Sequence, residues 1–446
     1  MNKYIVILGA GESGVGAAIL AVTKGFAVFL SDAGIIKNKY KIELEKHNIP
    51  YEEGKHTTEK ILTATEIIKS PGIPDTNALV MQLKANNTPI ISEIEFAFRY
   101  IGNSKVIAIT GTNGKSTTTH LTYHYLKNGG YNVSLVGNIG LSFAKQVALQ
   151  PTTWYVAEIS SFQLDDCVTF KPHIAILTNI TPDHLDRYNY KIENYINSKF
   201  SITKNQTEDD YFIYNIDDDL TMQYINNYKI KANKLEISMY KKITRGAFID
   251  KEEMHVFAGK EQADMNVNDF ALQGLHNQYN TLAAVTAVST VGMRKIEIAK
   301  SVQTTKGLAH RFETVATIRG VHFVNDSKAT NLNSTWWALE TMKTPTILIL
   351  GGVDKGNDYD RIFDLVRAKV RGIICLGKDN SKIVNALRDK TGFILETENI
   401  VECVKMAYSK AEKGDTVLLA PACSSFDLFA NFEARGEAFR NAVMEL

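Results

Sequence analysis

A glycine-bounded loop between an apolar run and a helix-forming segment limits most strongly what this chain can fold into. Residues 106–110 are β-branched and largely apolar, residues 116–127 favour a helix, and the loop between them contains Gly111, Thr112, Asn113, Gly114 and Lys115. In such a strand–loop–helix unit, backbone N–H groups and the helix N-terminus point at one anion, and the lysine adds a cation. This arrangement predicts a phosphate-binding loop.

The two residues after the lysine are hydroxylic, Ser116 and Thr117. The Ser116 hydroxyl is placed to ligate Mg²⁺, whose other ligands are largely water and phosphate oxygens. The spacing is a short G-x-x-G-K-S form, whereas the common phosphate loop has four residues between its glycines. A glycine turn with a surface lysine is the alternative; we interpret the segment as an ATP site.

The composition is that of an ordinary globular protein. The chain has 446 residues, of which 44% are hydrophobic and 22% charged, and this length favours two or three domains. Lys and Arg number 50 against 49 Asp and Glu, so no basic excess supports binding to nucleic acid. The four cysteines show no metal-binding spacing, and neither a signal peptide nor a membrane-length apolar segment is evident. We expect a cytoplasmic protein without membrane insertion.

The N-terminal segment has the pattern of a Rossmann-type unit. A buried-strand pattern at residues 4–8 is followed by G-x-G-x-x-G, an apolar helix to about residue 24, and a strand at 26–30 that leads to Asp32. Three interpretations remain open. The loop could bind a dinucleotide with Asp32 on a ribose, it could bind another nucleotide diphosphate, or Asp32 could be a turn or helix-capping residue.

A second turn is expected beside this glycine loop. Residues 67–69 form a strand pattern that ends in a rigid turn containing Ser70 and Gly72. Because ligands of open α/β sheets bind at the carboxyl ends of the strands, Ser70 and Gly72 should share a rim with Ser13 and Asp32.

Two polar residues follow strand patterns beside the phosphate loop. Glu158 lies near the carboxyl end of the run 154–159, and His184 follows the run 173–180. Both are plausible metal ligands, but Glu158 could instead pair with a lysine and His184 could cap or pack. Lys199, considered alone, is a solvated surface lysine, and Arg187 is a partner in a local salt link.

The remainder of the central segment predicts two further features. Residues 209–270 have short alternating runs, which we interpret as a small antiparallel excursion, with the acidic run 217–219 in a solvated turn. Asn277 and Asn280 lie one turn apart where a helix at 281–291 begins, and could contact a nucleotide.

The last third of the chain again alternates strand and helix patterns, which predicts a parallel sheet with polar loops at its strand ends. We interpret Trp336 and Trp337 as core packing. Cys423 is interpreted as a structural thiol because no base lies near it at motif spacing.

These motifs together resemble the ATP-dependent Mur ligases of peptidoglycan precursor synthesis. The matching pieces are G-T-N-G-K-S-T (111–117), E-I-S-S-F-Q-L (158–164), N-I-T-P-D-H-L-D-R (179–187), L-H-N-x-x-N (275–280) and H-R-F-E (310–313). The third-domain loops N-D-S-K-A-T-N (325–331), G-G-V-D-K-G (351–356), P-A-C-S-S-F-D (421–427) and N-F-E-x-R-G (431–436) resemble those of the members that add D-glutamate to UDP-N-acetylmuramoyl-L-alanine.

The resemblance implies an α/β fold with three domains and a defined chemistry. The domains would be an N-terminal Rossmann-like UDP-substrate domain (1–92), a central ATP-binding parallel sheet (93–303) and a C-terminal Rossmann-like domain for ATP and the amino acid (304–446). ATP would phosphorylate the substrate carboxylate, and the amine of D-glutamate would attack the acyl phosphate. Two Mg²⁺ ions would neutralise charge as the two anions approach.

The resemblance also implies roles for individual residues. Lys115 and Ser116 would hold phosphates and the first metal with Glu158, and His184 would bind the second metal. Lys199 matches the lysine that family members carbamylate, since a carbamate supplies oxygen ligands whereas an ammonium repels Mg²⁺. The remaining nucleotide contacts would come from Asn277, Arg311, Asp326 and Lys355.

The substrate contacts implied by the resemblance are in the first and last domains. The side chains that would grip the carboxylates of D-glutamate are Lys328, Thr330, Ser425 and Phe432, with His310 as a substrate contact or general base. UDP-N-acetylmuramoyl-L-alanine would be contacted by Ser13, Asp32, Ser70, Gly72 and Asn138. We expect a monomer, and we retain as alternatives a family ligase for another amino acid, a regulatory phosphate-loop ATPase and a dehydrogenase built on the first glycine loop.

Overall fold

The computed structural model describes residues 4–259 and 262–446 and contains three mostly parallel β-sheets. The strands of the first sheet are β1 (Tyr4–Leu8), β2 (Ala27–Asp32), β3 (Tyr51–Glu53), β4 (Glu66–Lys69) and β5 (Ile90–Ile91). Their order is β3-β2-β1-β4-β5, and every neighbouring pair is parallel. The chain order reverses between β1 and β4, so the glycine loop after β1 lies at the switch point where open sheets bind ligands.

The helices of this first part are α1 (Glu12–Thr23), α2 (Asn38–Lys46), α3 (Thr58–Leu62), α4 (Ala78–Ala85) and α5 (Glu93–Phe98). Asp32 is the last residue of β2, because that strand begins and ends slightly later than the expected 26–30. Ser92 caps α5 by accepting a hydrogen bond from the Glu95 N–H.

The second sheet has nine strands. They are β6 (Lys105–Thr110), β7 (Val133–Gly137), β8 (Trp154–Glu158), β9 (Ile174–Leu177), β10 (Tyr211–Asn215), β11 (Asn233–Ser238), β12 (Gly246–Asp250), β13 (Glu253–Phe257) and β14 (Ala263–Asn266), in the order β14-β13-β12-β11-β10-β9-β6-β8-β7. The helices are α6 (Lys115–Asn128), α7 (Phe143–Leu149), α8 (Ser161–Asp165), α9 (Ile192–Phe200), α10 (Asp219–Tyr224), α11 (Leu275–Val291) and α12 (Lys295–Thr304).

Strand β6 is buried on both faces, which explains its continuous apolar character. Val106 and Ala108 belong to one hydrophobic cluster, whereas Ile107 and Ile109 belong to another on the opposite face. Side chains alternate across a strand, so a strand covered on both sides needs no polar residues. Its neighbours β8 and β9 are parallel to it, and their carboxyl ends therefore surround the loop at 111–114.

Of the two expectations for residues 209–270, the antiparallel excursion was right only in part and the solvated acidic turn was wrong. Strands β10 and β11 pair in parallel and continue the main sheet, and only β12–β14 form an antiparallel extension. The acidic run is not a solvated turn either. Asp217 accepts hydrogen bonds from Ser238 Oγ and the Met239 N–H, and Asp218 caps α10 and accepts from the Ile180 N–H.

The third sheet comprises β15 (Glu313–Ile318), β16 (Val321–Asn325), β17 (Thr346–Gly351), β18 (Val370–Leu376), β19 (Ile394–Thr397) and β20 (Thr416–Ala422). Its order is β15-β16-β20-β17-β18-β19, and only β15 is antiparallel to its neighbour. The helices are α13 (Leu332–Thr341), α14 (Phe363–Lys369), α15 (Ser381–Leu387), α16 (Ile400–Lys410) and α17 (Phe432–Met444).

The described residues form two compact units. The first comprises residues 4–259, 262–273 and 277–305 and contains the first two sheets; the second comprises 274–276 and 306–446 and contains the third. Across the described ranges, no helix is both long and apolar enough to cross a bilayer.

Candidate active site

The loop between β6 and α6 has a backbone that requires its two glycines. Gly111 and Gly114 have φ of 143° and 81°. A Cβ at Gly111 would lie 1.9 Å from Thr178 Oγ1, and one at Gly114 would lie 2.3 Å from Asn280 Oδ1. Side chains at either position would therefore be strained and would collide with their neighbours.

The loop is fastened to the segment after β9. Thr178 Oγ1 and Asn179 Nδ2 donate to the Asn113 carbonyl at 2.6 and 3.1 Å, and the Asn113 N–H donates to Asn179 Oδ1 at 2.9 Å. Thr112 Oγ1 donates to the Thr181 carbonyl at 3.0 Å. The sequence analysis missed Thr178 and included Asn179 only as the first residue of the motif 179–187. The available signal was their position directly after a buried strand, next to the phosphate loop.

The predicted phosphate-binding side chains lie on the loop and the first turn of α6. Lys115 Nζ donates to the carbonyls of Gly111 and Thr112 at 2.8 and 2.7 Å. Ser116 and Thr117 are buried in the first turn of the helix. The lysine therefore lies back over its own loop, with its ammonium beside the backbone that would cradle a phosphate.

Lys199 is the clearest departure from the interpretation of a solvated lysine. Its side chain is 1% exposed, its Nζ donates to the Gly111 carbonyl at 2.7 Å, and it lies 4.5 Å from the centre of the Tyr195 ring. Burial, reinforced by the charge of Lys115, holds the pKa of Lys199 well below its ordinary value. Both lysines thus converge on one carbonyl, and the lowered pKa favours the neutral amine of Lys199 more than in an ordinary lysine.

Glu158 presents one satisfied and one unsatisfied oxygen. Its Oε1 accepts from Asn138 Nδ2 at 2.7 Å, whereas its buried Oε2 has no hydrogen-bond partner among the described residues. No lysine or arginine forms an ion pair with it in those residues. A buried carboxylate oxygen without a donor is what a bound Mg²⁺ would satisfy, so the donor set fits this cation.

His184 is placed differently. It has a φ of 53°, its ring lies edge-on to Phe162 at 5.3 Å, and its Nε2 lies 3.7 Å from Asp183 Oδ2. Within residues 4–259 and 262–446, no three His, Cys, Asp or Glu side chains are close enough together to hold a metal. The structure brings Lys115, Lys199 and the loop together at the Gly111 carbonyl. The predicted metal ligands Ser116, Glu158, His184 and Lys199 include only two side chains of those four types, so this ligand set stays a prediction.

The amide pair of α11 contacts α6. Asn280 Oδ1 accepts from Thr118 Oγ1 at 3.1 Å, and Asn280 Nδ2 donates to Asn277 Oδ1 at 3.3 Å. The helix begins at Leu275 rather than 281, so both amides lie inside its first two turns. Asn277 is buried, and it is held by this pair next to the phosphate-loop helix.

In the first sheet, Asp32 organises the glycine loop. Its Oδ2 accepts from the Ala10 N–H at 2.6 Å and its Oδ1 from the Gly34 N–H at 2.7 Å. This is the turn role that the sequence left open. Ser13 is half-buried in the first turn of α1, the Ser70 N–H donates to the Leu8 carbonyl, and Gly72 is exposed.

The turn containing Ser70 and Gly72 is tied to the second sheet by two cations that the sequence analysis did not identify in this role. Lys69 is 4% exposed, and its Nζ lies 2.9 Å from Asp166 Oδ2 and donates to the Ile73 carbonyl at 3.0 Å. Arg187 donates to the Pro71 carbonyl at 3.3 Å and lies 4.4 Å from the centre of the Phe162 ring. The interpretation of Arg187 as a local salt link was therefore wrong.

The loops at the strand ends of the third sheet carry the residues predicted to bind the amino-acid substrate. Lys328 Nζ lies 4.0 Å from the centre of the Phe432 ring, so these two are brought into contact. Thr330 is half-buried, Ser425 is buried, and Lys355 is exposed on the loop after β17. The predicted residues come from three loops and the start of α17.

His310 and Asp326 lie beside those loops. His310 Nδ1 lies 3.0 Å from Asn325 Nδ2, and the His310 N–H donates to Glu313 Oε2 at 2.8 Å. Asp326 Oδ1 accepts from the Phe312 N–H, and burial raises the pKa of Asp326 to about 7 despite the opposing charge of Arg311.

Arg435 in α17 is a buried residue whose individual role the sequence analysis missed. It is 2% exposed and donates five hydrogen bonds to oxygens of Ser327, Gly351 and Cys423. The N-F-E-x-R-G motif was noted as a whole, and the arginine within it was the available signal.

Two minor interpretations have different outcomes. Trp336 and Trp337 are half-buried and edge-to-face at 4.9 Å, and they line a cavity of about 310 Å³ with Arg361, so core packing describes them only in part. Cys423 is 1% exposed, and burial raises the pKa of its thiol to about 11, as suits a structural cysteine.

Comparison with known families covers all three parts of the chain. The model of the MurD N-terminal domain matches residues 4–78, that of the Mur ligase middle domain matches 109–288, and that of the Mur ligase glutamate ligase domain matches 310–423.

Similar proteins match over their full length. A protein from Christiangramia forsetii named UDP-N-acetylmuramoylalanine–D-glutamate ligase is 51% identical over 446 residues, which is 100% of both chains. Proteins of the same name from Bacteroides thetaiotaomicron and Chloroherpeton thalassium are 50% and 38% identical, covering 100% of this chain and 100% and 98% of their own.

Solved structures share the fold at low sequence identity. A pseudomurein peptide ligase type C from Methanothermus fervidus has a TM-score of 0.64 at 19% identity, and a UDP-N-acetylmuramate-alanine ligase from Thermotoga maritima has 0.62 at 17%, each with 100% of both chains covered. The predicted α/β architecture is thereby confirmed. From the full-length relatives and the three matching domain models together, this chain belongs to the Mur ligase family.

Proposed function

We propose that this chain joins D-glutamate to UDP-N-acetylmuramoyl-L-alanine at the expense of ATP, in peptidoglycan precursor synthesis. One observation carries the proposal: relatives named UDP-N-acetylmuramoylalanine–D-glutamate ligase are 51% and 50% identical to the chain over its whole length. The glycine loop, the two convergent lysines and the orphaned oxygen of Glu158 supply the chemistry that such a ligase needs.

The reaction explains the need for ATP. A carboxylate is a poor electrophile at neutral pH, so phosphorylation of the substrate carboxylate creates an acyl phosphate with phosphate as its leaving group. The amine of D-glutamate attacks the acyl carbon, the C–O bond to phosphate breaks, and the amine proton is lost. Catalysis therefore depends on bringing two anions together and on positioning the amine.

The phosphate-binding role belongs to residues 111–117. Their backbone N–H groups and the start of α6 would orient the phosphates, with Lys115 as the cation and Ser116 as a hydroxyl ligand. The remainder of the nucleotide would be contacted by Asn277, Arg311, Asp326 and Lys355.

Two Mg²⁺ ions would be held by Ser116, Glu158, His184 and Lys199, and they would supply charge neutralisation between the two anions. The buried, unpartnered Oε2 of Glu158 supports one of these positions. Lys199 would contribute as a carbamate, for which a neutral amine is required. The low pKa of Lys199 supports this modification because it leaves the amine free to react with carbon dioxide.

The substrate-binding roles rest on family motifs. D-Glutamate would be held by Lys328, Thr330, Ser425 and Phe432, with His310 beside it as a substrate contact or general base. The UDP part of the other substrate would be contacted by Ser13, Asp32, Ser70 and Gly72, and its sugar-peptide part by Asn138.

The organisation of the protein is part of the proposal. We place domain boundaries at 92/93 and 303/304, and we propose a monomer that acts in the cytoplasm. The start of the second compact unit at Lys306 supports the second boundary.

The decisive experiment measures phosphate release from ATP and Mg²⁺ with UDP-N-acetylmuramoyl-L-alanine present and amino acids added one at a time. The expected result is release that requires both the UDP substrate and D-glutamate, with formation of the dipeptide product. L-Glutamate and D-aspartate are matched controls, because they change only the chirality or the chain length.

The rival functions predict other results. Release without an amino-acid requirement would identify a regulatory ATPase, and release driven by another amino acid would keep the ligase mechanism with a different specificity. Tight NAD(P)H binding would favour the dehydrogenase built on the first glycine loop.

A further inference from the structure

Arg435 is a buried cation with no carboxylate at ion-pair distance among the described residues. Burying a guanidinium removes its hydration, and the cost is normally offset by a paired carboxylate. Here burial lowers the pKa of Arg435 to about 10, while Asp427 acts in the opposite direction. The side chain therefore remains charged at neutral pH.

Its partners are backbone carbonyls and one hydroxyl. Nε donates to Ser327 Oγ at 3.0 Å, and Nη2 donates to the Ser327 carbonyl at 2.9 Å and the Cys423 carbonyl at 3.2 Å. Nη1 donates to the carbonyls of Cys423 and Gly351 at 3.2 and 3.4 Å. The planar fork of the guanidinium thus bridges three chain segments, which a lysine could not do.

Those three segments follow neighbouring strands of the third sheet. Ser327 follows β16, Gly351 ends β17, and Cys423 follows β20, which lies between the other two. The next residues of each loop include Lys328, Lys355 and Ser425 respectively. Arg435 is also linked to Phe432 through Ser327, whose Oγ accepts from Arg435 Nε and donates to the Phe432 carbonyl at 2.9 Å.

The placement does not favour the stability of α17. Arg435 is the fourth residue of that helix, and a positive charge near a helix N-terminus opposes the macrodipole. A buried apolar residue at this position would avoid both the desolvation and the dipole cost. The benefit of the arginine must therefore lie in holding the three loops in one arrangement.

We propose that Arg435 is a positioning residue that sets the relative placement of the loops carrying Lys328, Lys355 and Ser425, and thereby the affinity for the amino-acid substrate. This inference rests on the proposed function. It assigns to a buried residue of α17 an effect on D-glutamate binding that the UDP substrate does not share.

The test compares Arg435→Lys and Arg435→Met with the wild type in steady-state kinetics, each substrate being varied at saturating levels of the others. We expect Arg435→Lys to raise the KM for D-glutamate about tenfold, with the KM for the UDP substrate within about twofold of wild type. Arg435→Met should have the larger effect, since it removes all five hydrogen bonds and leaves their four acceptor oxygens without this donor.

The matched control is Arg371→Lys. Arg371 is the second residue of β18, at the amino end of the strands and so away from the three loops, where it pairs with Glu412 and Asp415. Its substitution should leave both KM values unchanged. Melting temperatures of all variants separate loss of fold from loss of positioning.

The outcomes are distinct. A wild-type KM for D-glutamate in Arg435→Lys, or equal increases for all substrates, would overturn the inference while the proposed function stands. Failure of both Arg435 variants to fold beside a stable Arg371→Lys would also overturn it, since the arginine would then serve the fold. If the wild-type protein released phosphate from ATP without requiring D-glutamate, that result would refute the proposed function instead.

Discussion

At the residue scale, burial decides what the charged side chains of the first unit can do. Lys199 and Glu158 are each 1% exposed, and Glu93 is 3% exposed. Each is held by few partners in a medium that disfavours charge, and this burial lowers the pKa of Lys199 and raises that of Glu93. None of this is visible in the local sequence of any of the three.

The first prediction concerns Lys199. We expect Lys199→Arg and Lys199→Met to lower kcat about equally, by roughly 100-fold or more, because an arginine keeps the charge but cannot form a carbamate. Phosphate release measures the loss. ¹³C NMR of the wild type in labelled bicarbonate should show a carbamate resonance that both variants lack.

The control is Lys204→Arg, a substitution at an exposed lysine shortly after α9. It should retain wild-type activity. Substantial activity in Lys199→Arg would show that a positive charge, and not a modified lysine, is required.

The second prediction concerns the pH dependence of stability at Glu93. Its Oε1 accepts from Ser142 Oγ and the Ala144 N–H at 2.7 and 2.6 Å, its Oε2 is buried without a partner among the described residues, and burial raises the pKa of Glu93 to about 7. The folded state therefore binds this proton more tightly than the unfolded chain. Its contribution to stability is present below pH 4.5 and is lost as the pH rises to about 7, by roughly 3 kcal/mol at most.

Glu93→Gln should resemble the protonated side chain and abolish that loss. We expect its melting temperature to exceed that of the wild type above pH 7 and to match it near pH 4, below the unfolded pKa of 4.5, as measured by thermal unfolding across this range. Parallel curves for the two proteins at all pH values would contradict the assignment.

At the scale of secondary-structure elements, the residues of the candidate site lie where parallel strands end. Strands β6, β8 and β9 place the phosphate loop, Glu158 and Asn179 at one edge. The turn after β4 is fastened to the same part of the molecule by Lys69 and Arg187. The first sheet and the phosphate-loop sheet are therefore linked through side chains that are distant in sequence.

The third prediction tests this link through Lys69 and Asp166. Lys69→Met and Asp166→Asn should each raise the KM for UDP-N-acetylmuramoyl-L-alanine about fivefold, because each leaves a buried polar group unpaired and releases the turn containing Ser70. The double variant should have a KM for this substrate no higher than that of either single variant, because each single substitution already breaks the same ion pair. A double-mutant cycle would show this non-additivity as coupling between the two residues. Steady-state kinetics with the UDP substrate varied provides the measurement.

Lys171→Met is the control, because Lys171 pairs with Asp210 at the amino end of the second sheet. It should leave this KM unchanged. Additive effects of the Lys69 and Asp166 substitutions would mean that the pair does not position the turn.

At the scale of the whole molecule, the chain divides into two compact units with separate hydrophobic cores. The second unit has its own six-stranded sheet, with one cluster on each face. A compact unit with its own hydrophobic core has the features of an independently folding domain.

The fourth prediction follows from that division. Residues 306–446 expressed alone should fold and unfold cooperatively, because both faces of the sheet are covered within this segment. Circular dichroism and urea denaturation measure this directly. The corresponding segment with Val417→Asp, which places a charge in a buried strand, should be unfolded and serves as the control. A non-cooperative transition in the unsubstituted segment would contradict the prediction.

The local features of this protein follow from patterns of neighbouring residues. The β-branched run before Gly111, the glycine spacing and the helix-forming segment after it identified the phosphate loop. Alternating strand and helix patterns identified the parallel sheets. These features depend on backbone preferences and on the periodicity of apolar residues, which are properties of neighbouring residues.

Which polar residues are buried, and what they contact, depends on how distant segments pack in three dimensions. Lys199 meets the Gly111 carbonyl 88 residues away, Arg187 meets Pro71 across 116 residues, and Arg435 joins three strand ends. The antiparallel interpretation of β10 and β11 failed for the same reason, because strand direction depends on which neighbour a strand meets. Burial and pairing are set by the packing of distant segments, and a pattern of neighbouring residues carries no record of it.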